Sequence, residues 1–302
     1  MKRIVLCFDG TWNEPDDSTN VQRFYQSVKH DGRKQIAKYF EGVGTHVYDK
    51  ISGGLLWKGI SKNIKEGYRY LVQQYEFGDE IFLVGFSRGA YTARSLVGLI
   101  RKVGLLSRPK IEAQRLDISD LDKGLLHDAY ALYRRRDANP DVEEVQAFRK
   151  QYSYYDASKE NTGEPLETNP VKIKFLGVWD TVGALGIPIG VFSLVGYTDE
   201  EIKEIKSRQF HDVKLSALVE NAFHALAIDE HRQDYEATLW NSAKKPHQQV
   251  EQVWFVGAHT DVGGGVDGDG VGIAAAVSAT VTGMNEVGVC SEVGWVQATR
   301  KK

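Results

Sequence analysis

A serine flanked by two glycines is the clearest candidate for chemistry in this chain of 302 residues. Ser87 lies in the segment GFSRG at 85–89, directly after the apolar run 81–84. A serine hydroxyl attacks a carbonyl carbon only when a base removes its proton, and a tight strand-to-helix turn with small flanking residues keeps such a serine accessible. We therefore interpret Ser87 as a nucleophile, and Gly85 and Gly89 as the glycines of a nucleophile elbow.

A base and an orienting acid follow later in the chain, each after an apolar segment. Asp180 follows residues 171–179, and His259 comes shortly after residues 251–256. Ligands bind at the carboxyl ends of strands in an open α/β sheet, so we expect the three side chains to meet there. The order serine, aspartate, histidine is that of α/β-hydrolases. We predict that His259 takes the proton of Ser87 and that Asp180 fixes the tautomer of the imidazole.

Each of these assignments has a plainer alternative. A short G-x-S-x-G match can arise by chance, and an aspartate after a strand also serves as a helix N-cap. Asp261 is the rival acid, but it lies only two residues after His259, so we expect it to order the surrounding loop. His224 and His231 are assigned to a helix, where a core or surface role is expected.

The oxyanion formed during acyl transfer needs two N–H donors. The backbone N–H of Arg88, directly after the candidate nucleophile, is predicted to be the first. The second is expected from the loop after a neighbouring strand, and the candidates are Gly10 and Thr11, which follow the apolar run 4–8. We therefore predict an oxyanion hole formed by Arg88, Gly10 and Thr11.

The acidic residue before that loop has a competing interpretation. Asp9 in FDGT resembles part of the D-x-D-G-T motif of aspartate-nucleophile phosphatases, which would make the chain a metal-dependent phosphatase. Cys7, however, stands where that motif has its nucleophile. We predict that the chain needs no metal and no organic cofactor.

The elements that must position these residues alternate between strands and helices. Helical periodicity predicts helices at 59–76, in the segment after Ser87, and at 215–240. Apolar runs predict strands at 4–8, 36–40, 81–84, 171–179 and 251–256, of which the first, third and last are expected to be buried. A strand, a tight turn and a helix in succession form the βα unit of a parallel sheet. We predict an α/β fold of the α/β-hydrolase type, with a mostly parallel central sheet and helices on both faces.

Residues 107–170 interrupt this alternation with charged and tyrosine-rich sequence. We interpret them as an inserted helical region that caps the sheet; a solvated helical hairpin without a catalytic role is the alternative. The catalytic domain is predicted to span 1–265. The remainder, 266–302, is a tail rich in glycine, alanine and valine.

The composition indicates which binding partners and which cellular compartment to expect. A net charge of -3, from 41 acidic and 38 basic residues, implies no general attraction to nucleic acid or anionic membranes. Cys7 and Cys290 form no disulfide framework, which fits a reducing compartment. The apolar run near the N-terminus is too short for a signal peptide, and no stretch approaches the ~18 apolar residues of a membrane span. We expect a cytoplasmic protein that leaves the cell only by a non-Sec route and contacts membranes only peripherally.

Five ordered segments together resemble one known family. They are FDGTWN at 8–13, GFSRGAYTAR at 85–94, GVWDTVGALG at 177–186, ALAIDEHRQDY at 225–235 and GAHTDVGGG at 257–265. They look like the α/β-hydrolase domain of the type VI secretion phospholipase effectors of the first class. The resemblance implies a triad of Ser87, Asp180 and His259, an oxyanion role for Thr11, and cleavage of phospholipid acyl esters. The sequence after 265 departs from the family's pattern.

We therefore expect a serine ester hydrolase that acts through an acyl-enzyme on phospholipid or other lipid esters. The alternatives are a soluble carboxylesterase of small esters, and a binding protein that keeps the hydrolase fold without turnover. The oligomeric state is left open.

Overall fold

The computed structural model of the chain describes residues 1–11, 13, 18–43, 53–116, 124–135, 142–160, 168–183, 214–232, 235–240 and 244–265. Within these ranges the strands are β1 Arg3–Phe8, β2 Gln35–Phe40, β3 Glu80–Phe86, β4 Ile173–Trp179, β5 Val219–Ala227 and β6 Gln249–Phe255. They form one sheet in the order β2-β1-β3-β4-β5-β6, and every neighbouring pair is parallel. The predicted parallel sheet is confirmed.

The helices of the same ranges are α1 Asn20–Ser27, α2 Gly53–Gln74, α3 Arg88–Val103, α4 Arg108–Ala113, α5 Leu125–Arg134, α6 Glu143–Tyr152 and α7 His259–Gly263, with a 3-10 turn at Ala157–Lys159. None of the helices in the described part of the chain is long and apolar enough to cross a membrane.

Two apolar cores sandwich the sheet. Because side chains alternate along a strand, Ile4 and Leu6 of β1 belong to one core and Val5 and Cys7 to the other. Helices α2, α3 and α5 cover the first face, and α1 covers the second. Helices on both faces of a parallel sheet are the predicted arrangement, and the protein has the α/β-hydrolase fold.

The strand order reverses direction between β1 and β3. The chain runs from β1 outward to β2 and then returns past β1 to β3. A crevice opens at the carboxyl ends of the strands at such a switch point, and ligands bind there in open α/β sheets. The residues that follow β1 and β3 therefore border the expected binding crevice.

The predicted helix at 215–240 is wrong, because this range contains the strand β5. The strand lies between β4 and β6, and Ala222, Phe223 and Leu226 are all buried. Polar residues such as Asn221 and His224 interrupt the continuous apolar run that a strand covered on both faces usually shows, and the remaining apolar residues match a helical spacing by accident. His224 therefore belongs to a buried strand and not to a helix.

The last strand differs from its prediction in burial. β6 is the outer strand next to β5 in the described sheet, and several of its side chains are exposed or half-buried. Trp254, for example, is 50% exposed. The apolar residues of this run predicted a buried strand, but among the described strands β6 has a neighbour, β5, on one side only.

The described part of the insertion 107–170 contains the helices α4, α5 and α6. Leu126, Ala129 and Tyr133 of α5 are buried in the core that also holds residues of α2 and α3. The described helices of this range thus add to the helical layer on one face of the sheet. The predicted tail, 266–302, lies outside the described residues.

Candidate active site

Ser87 occupies a strained turn between β3 and α3. Its backbone has φ 57° and ψ -121°, a conformation unfavourable for a residue with a Cβ. A Cβ added to Gly85 would lie 2.5 Å from the carbonyl oxygen of Gly89, and one added to Gly89 would lie 2.1 Å from the carbonyl oxygen of Phe8. Both positions therefore require glycine, and the segment has the form of the predicted elbow.

The three predicted triad side chains lie in one hydrogen-bonded row. His259 Nε2 is 2.8 Å from Ser87 Oγ, and His259 Nδ1 is 2.6 Å from Asp180 Oδ2. All three residues are buried. When Nδ1–H donates to the carboxylate, Nε2 is left as the acceptor of the serine hydroxyl, which is the arrangement that general-base activation of a serine requires.

Asp180 is fixed at the end of β4 by contacts with β5. Its backbone has φ 37°, its N–H donates to the carbonyl oxygen of Ala225 at 2.7 Å, and its Oδ1 accepts from the N–H of Ala227 at 3.0 Å. The next amide, of Thr181, donates to Nε2 of His224 at 3.2 Å. One carboxylate oxygen therefore anchors the side chain while the other faces the imidazole.

Burial keeps His224 neutral in this position. It lowers the pKa of His224 to about 3, and the positive charge of Arg94 adds to the effect. A neutral imidazole can accept the Thr181 amide through Nε2, whereas a cationic one cannot. His224 is therefore a support for the turn that carries Asp180.

The imidazole of His259 is packed between two aromatic rings. The ring of Phe86 lies 4.6 Å away between centroids, and the ring of Tyr235 meets it edge-on at 4.9 Å. The side chain of Asp261 accepts the N–H of Ala258 at 2.7 Å. Asp261 thus orders the turn around His259, as expected from the sequence, and Asp180 is the carboxylate bonded to the imidazole.

The loop after β1 is anchored by a buried carboxylate. Asp9 accepts hydrogen bonds from the Gly10 amide at 2.7 Å, the Thr19 hydroxyl at 2.5 Å and the Tyr39 hydroxyl at 2.6 Å. Burial and then the charge of Asp9 raise the pKa of Tyr39, so this phenol stays a donor. Both oxygens of Asp9 are engaged by donors of the protein.

The two predicted donors of this loop differ in their surroundings. The Gly10 amide is engaged by Asp9. The Thr11 hydroxyl is buried and has no hydrogen-bond partner among the described residues. In the register of β1 with β3, Phe8 lies opposite Gly85, which brings the residues after β1 alongside the elbow. The sequence predicts an N–H donor from this loop, whereas the group without a partner among the described residues is the Thr11 hydroxyl.

The sequence of residues 2–282 matches the family described as the T6SS phospholipase effector Tle1-like catalytic domain. The chain belongs to this family. The family description names a phospholipase, which is a class of hydrolase that cleaves lipid esters. An uncharacterized protein of Saccharomyces cerevisiae is 27% identical over 250 residues, which are 76% of this chain and 31% of the yeast protein.

Solved structures with a similar fold are more distant. An uncharacterized protein from Pseudomonas aeruginosa aligns at 18% identity and a TM-score of 0.49, over 97% of this chain and 46% of its own. The Tle1 effector bound to the VgrG spike aligns at 17% identity with a TM-score of 0.44, and the alignment covers 88% of this chain and 51% of the effector chain. Native esterase 2 of Thermogutta terrifontis aligns at 14% identity with a TM-score of 0.46, and the alignment covers 97% of this chain and 84% of the esterase chain. The Tle1-like domain thus spans about half of the first two solved chains, and the family assignment rests on the family match alone.

Within the described part of this Tle1-like domain, no group of three or more His, Cys, Asp or Glu side chains is arranged to hold a metal ion. Two groups around the triad were not predicted. They are His224 under Asp180, and Glu230 with Arg232 and Tyr235 beside His259. Both lie in the range misassigned to a helix; the charged run DEHR at 229–232 marks the end of the apolar segment 225–228 but does not indicate the contacts that these residues make.

Proposed function

We propose that this domain is a serine ester hydrolase that cleaves lipid acyl esters through an acyl-enzyme. The observation that supports it is the row Ser87, His259, Asp180, in which the imidazole lies 2.8 Å from the hydroxyl and 2.6 Å from the carboxylate. The family description, a phospholipase catalytic domain, supports a phospholipid as the substrate.

In the proposed first step, His259 Nε2 takes the proton of Ser87 Oγ while Oγ attacks the ester carbonyl carbon. Asp180 stabilises the imidazolium that forms. The backbone N–H of Arg88 and the hydroxyl of Thr11 donate to the oxyanion of the tetrahedral intermediate. The imidazolium then gives its proton to the departing alcohol, and the acyl group remains on Ser87.

In the second step a water molecule attacks the acyl-enzyme. His259 takes a proton from the water and returns it to Ser87 Oγ as the fatty acid leaves. The strained turn at Ser87 suits both steps, because it holds the hydroxyl at the N-terminus of α3 at the sheet edge where the crevice opens.

The test compares wild type with Ser87→Ala. Wild type should be labelled covalently by a fluorophosphonate probe and should release fatty acid from phospholipid vesicles, whereas the variant should do neither. An unlabelled wild type, or a Ser87→Ala variant labelled equally, contradicts the proposal and favours a binding protein with this fold. Mass spectrometry of the lipid products identifies the ester bond that is cleaved.

A carboxylesterase of small esters is the second candidate. Activity on short p-nitrophenyl esters without release of fatty acid from vesicles would favour it. A phosphatase based on Asp9 would instead show EDTA-sensitive hydrolysis of phosphate esters, and the three donors on the Asp9 carboxylate speak against it.

The proposed domain spans 1–265, with 107–170 as its helical insertion. The proposed location is the cytoplasm of the producing cell, with delivery by a type VI system as the family description suggests. Cell fractionation with and without that system tests the location.

A further inference from the structure

Glu230 lies in the turn that follows β5, and its carboxylate has no part in the chemistry proposed above. The side chain is only 6% exposed. Arg232 covers it with two hydrogen bonds, from Nε to Oε1 at 2.8 Å and from Nη2 to Oε2 at 2.5 Å. This paired guanidinium lowers the pKa of Glu230 to about 2, so the carboxylate stays ionised.

The same carboxylate reaches the backbone of the catalytic histidine. Glu230 Oε2 accepts the N–H of His259 at 3.3 Å. The neighbouring Asp229 accepts the N–H of Gly257 at 2.7 Å, two residues before the histidine. The turn between β6 and α7 is thus held by consecutive carboxylates that follow β5.

The ring of His259 is held through the same group. The Arg232 guanidinium lies over the face of Tyr235, with the carbon Cζ 3.9 Å from the ring centroid. Tyr235 in turn meets the imidazole edge-on at 4.9 Å. Glu230 therefore contacts the backbone of the histidine and Tyr235 its side chain, and Arg232 links the two.

The position of His259 makes such support necessary. The residue follows β6, the half-exposed outer strand of the described sheet, and Gly257, whose φ is 113°. In this turn the Gly257 carbonyl oxygen accepts the N–H of Asp229 at 3.1 Å, whereas the N–H of His259 donates to a side chain, the Glu230 carboxylate. A shift of about 1 Å at a catalytic group can lower the rate about 100-fold.

We propose that Glu230 is a positioning residue for the base. Its carboxylate, held by Arg232, fixes the backbone of His259, and Tyr235 fixes the plane of the imidazole against Ser87 and Asp180. This inference rests on the proposed serine hydrolase function and adds residues that act through His259 without touching the substrate.

The test uses the full chain and two matched pairs of variants. Glu230→Gln removes the charge of the carboxylate, and Glu236→Gln makes the same change at an exposed position. Tyr235→Ala removes the ring that meets the imidazole, and Tyr235→Phe keeps it. For each variant, kcat and KM on a soluble p-nitrophenyl ester, the rate of fluorophosphonate labelling and the thermal midpoint are measured.

Glu230→Gln and Tyr235→Ala should lower kcat and the labelling rate by about 10- to 100-fold, with KM unchanged, because only the approach of the base to the serine is affected. Glu236→Gln and Tyr235→Phe should behave as wild type. A purely structural role would lower the amount of folded enzyme without changing kcat per folded molecule.

Equal kcat in Glu230→Gln and Glu236→Gln, or in the two Tyr235 variants, overturns the inference. So does a loss of activity that only follows the unfolded fraction. A wild type that takes no label and hydrolyses no ester overturns the proposed function together with this inference. A labelled wild type with equally fast labelling of Glu230→Gln overturns the inference alone.

Discussion

Both oxygens of the Asp180 carboxylate are used, one by the Ala227 amide and the other by His259. Asparagine can accept only one of these donors. If its amide group faces the imidazole, Nδ1 becomes the acceptor and Nε2 carries the proton, which is the wrong tautomer for a base. We therefore expect Asp180→Asn to lower kcat roughly 10⁴-fold. Steady-state kinetics measures it, and a loss of less than about tenfold would assign the orienting role to another group.

Removing the buried hydroxyl of Thr11 should lower the activity without lowering the stability of the fold. Removing a buried hydroxyl that has no partner should leave the free energy of unfolding unchanged or raise it. If this hydroxyl donates to the oxyanion, Thr11→Val should nevertheless lower kcat about 10²- to 10³-fold.

Thr181→Val is the matched control, because the Thr181 hydroxyl is likewise buried without a partner among the described residues. Denaturant titration and kinetics of both variants are required. Equal kcat in the two variants would show that the Thr11 hydroxyl does not donate to the oxyanion.

At the scale of single residues, the sequence predicts those candidate site residues that directly follow strands. Ser87, Asp180 and His259 are recognisable because each follows an apolar run, and a parallel sheet gathers such positions at one edge. Glu230 and His224 act through contacts across neighbouring strands, which no local pattern contains. The engagement of the Gly10 amide by Asp9 is equally invisible in the sequence.

At the scale of elements, the elbow depends on how closely α3 approaches β1. A Cβ on Gly89 would lie 2.1 Å from the Phe8 carbonyl oxygen and 2.4 Å from that of Asp9, both backbone atoms. We expect Gly89→Ala to lower the free energy of unfolding by about 2 to 3 kcal/mol. Denaturant-induced unfolding measures this loss.

Gly32→Ala is the control for that substitution. At Gly32 an added Cβ meets nothing within 4 Å, and only the φ of 70° opposes it. Its cost should be about 1 kcal/mol. If Gly89→Ala costs no more than this control, the contact between α3 and β1 is looser than the distances indicate.

The element predictions fail where burial depends on neighbours that are distant in sequence. β1 and β3 are central strands with continuous apolar runs, and both were predicted. β5 is also central, but His224 and Asn221 interrupt its apolar run, so a helical spacing fitted equally well. The apolar residues of β6 are typical of a buried strand, and only the strand order shows that it is the outer strand of the described sheet.

At the scale of the whole molecule, acid should destabilise the fold in two steps. The pKa of His224 is 6.5 in an exposed chain and about 3 in the fold, so between these values only the unfolded chain binds the proton. The contribution of neutral His224 to the free energy of unfolding is therefore complete above pH 6.5 and is lost as the pH falls towards 3. The pKa of Glu230 is lowered from 4.5 to about 2, so the stability that this carboxylate contributes is lost as the pH falls from 4.5 towards 2.

Denaturant midpoints measured from pH 7.5 to 4.5 isolate the first step. The midpoint of wild type should fall over this range, and that of His224→Gln should fall less steeply, because glutamine can accept the Thr181 amide without titrating. His231→Gln, a change at an exposed histidine, should keep the slope of wild type. Equal slopes in wild type and His224→Gln would place the acid sensitivity elsewhere.

The half-exposed β6 has a consequence for how the molecule loses activity. Opening fluctuations begin at the margins of a structure, where backbone bonds face water, and need less free energy than global unfolding. Ser87, the proposed nucleophile, follows a central strand, while His259, the proposed base, follows the outer strand of the described sheet. Amide protons of β6 should therefore exchange with deuterium before those of β1 and β3. Heat or denaturant would then separate His259 from Ser87 while the central strands are still paired, so the molecule would fail first as a catalyst and only later as a fold.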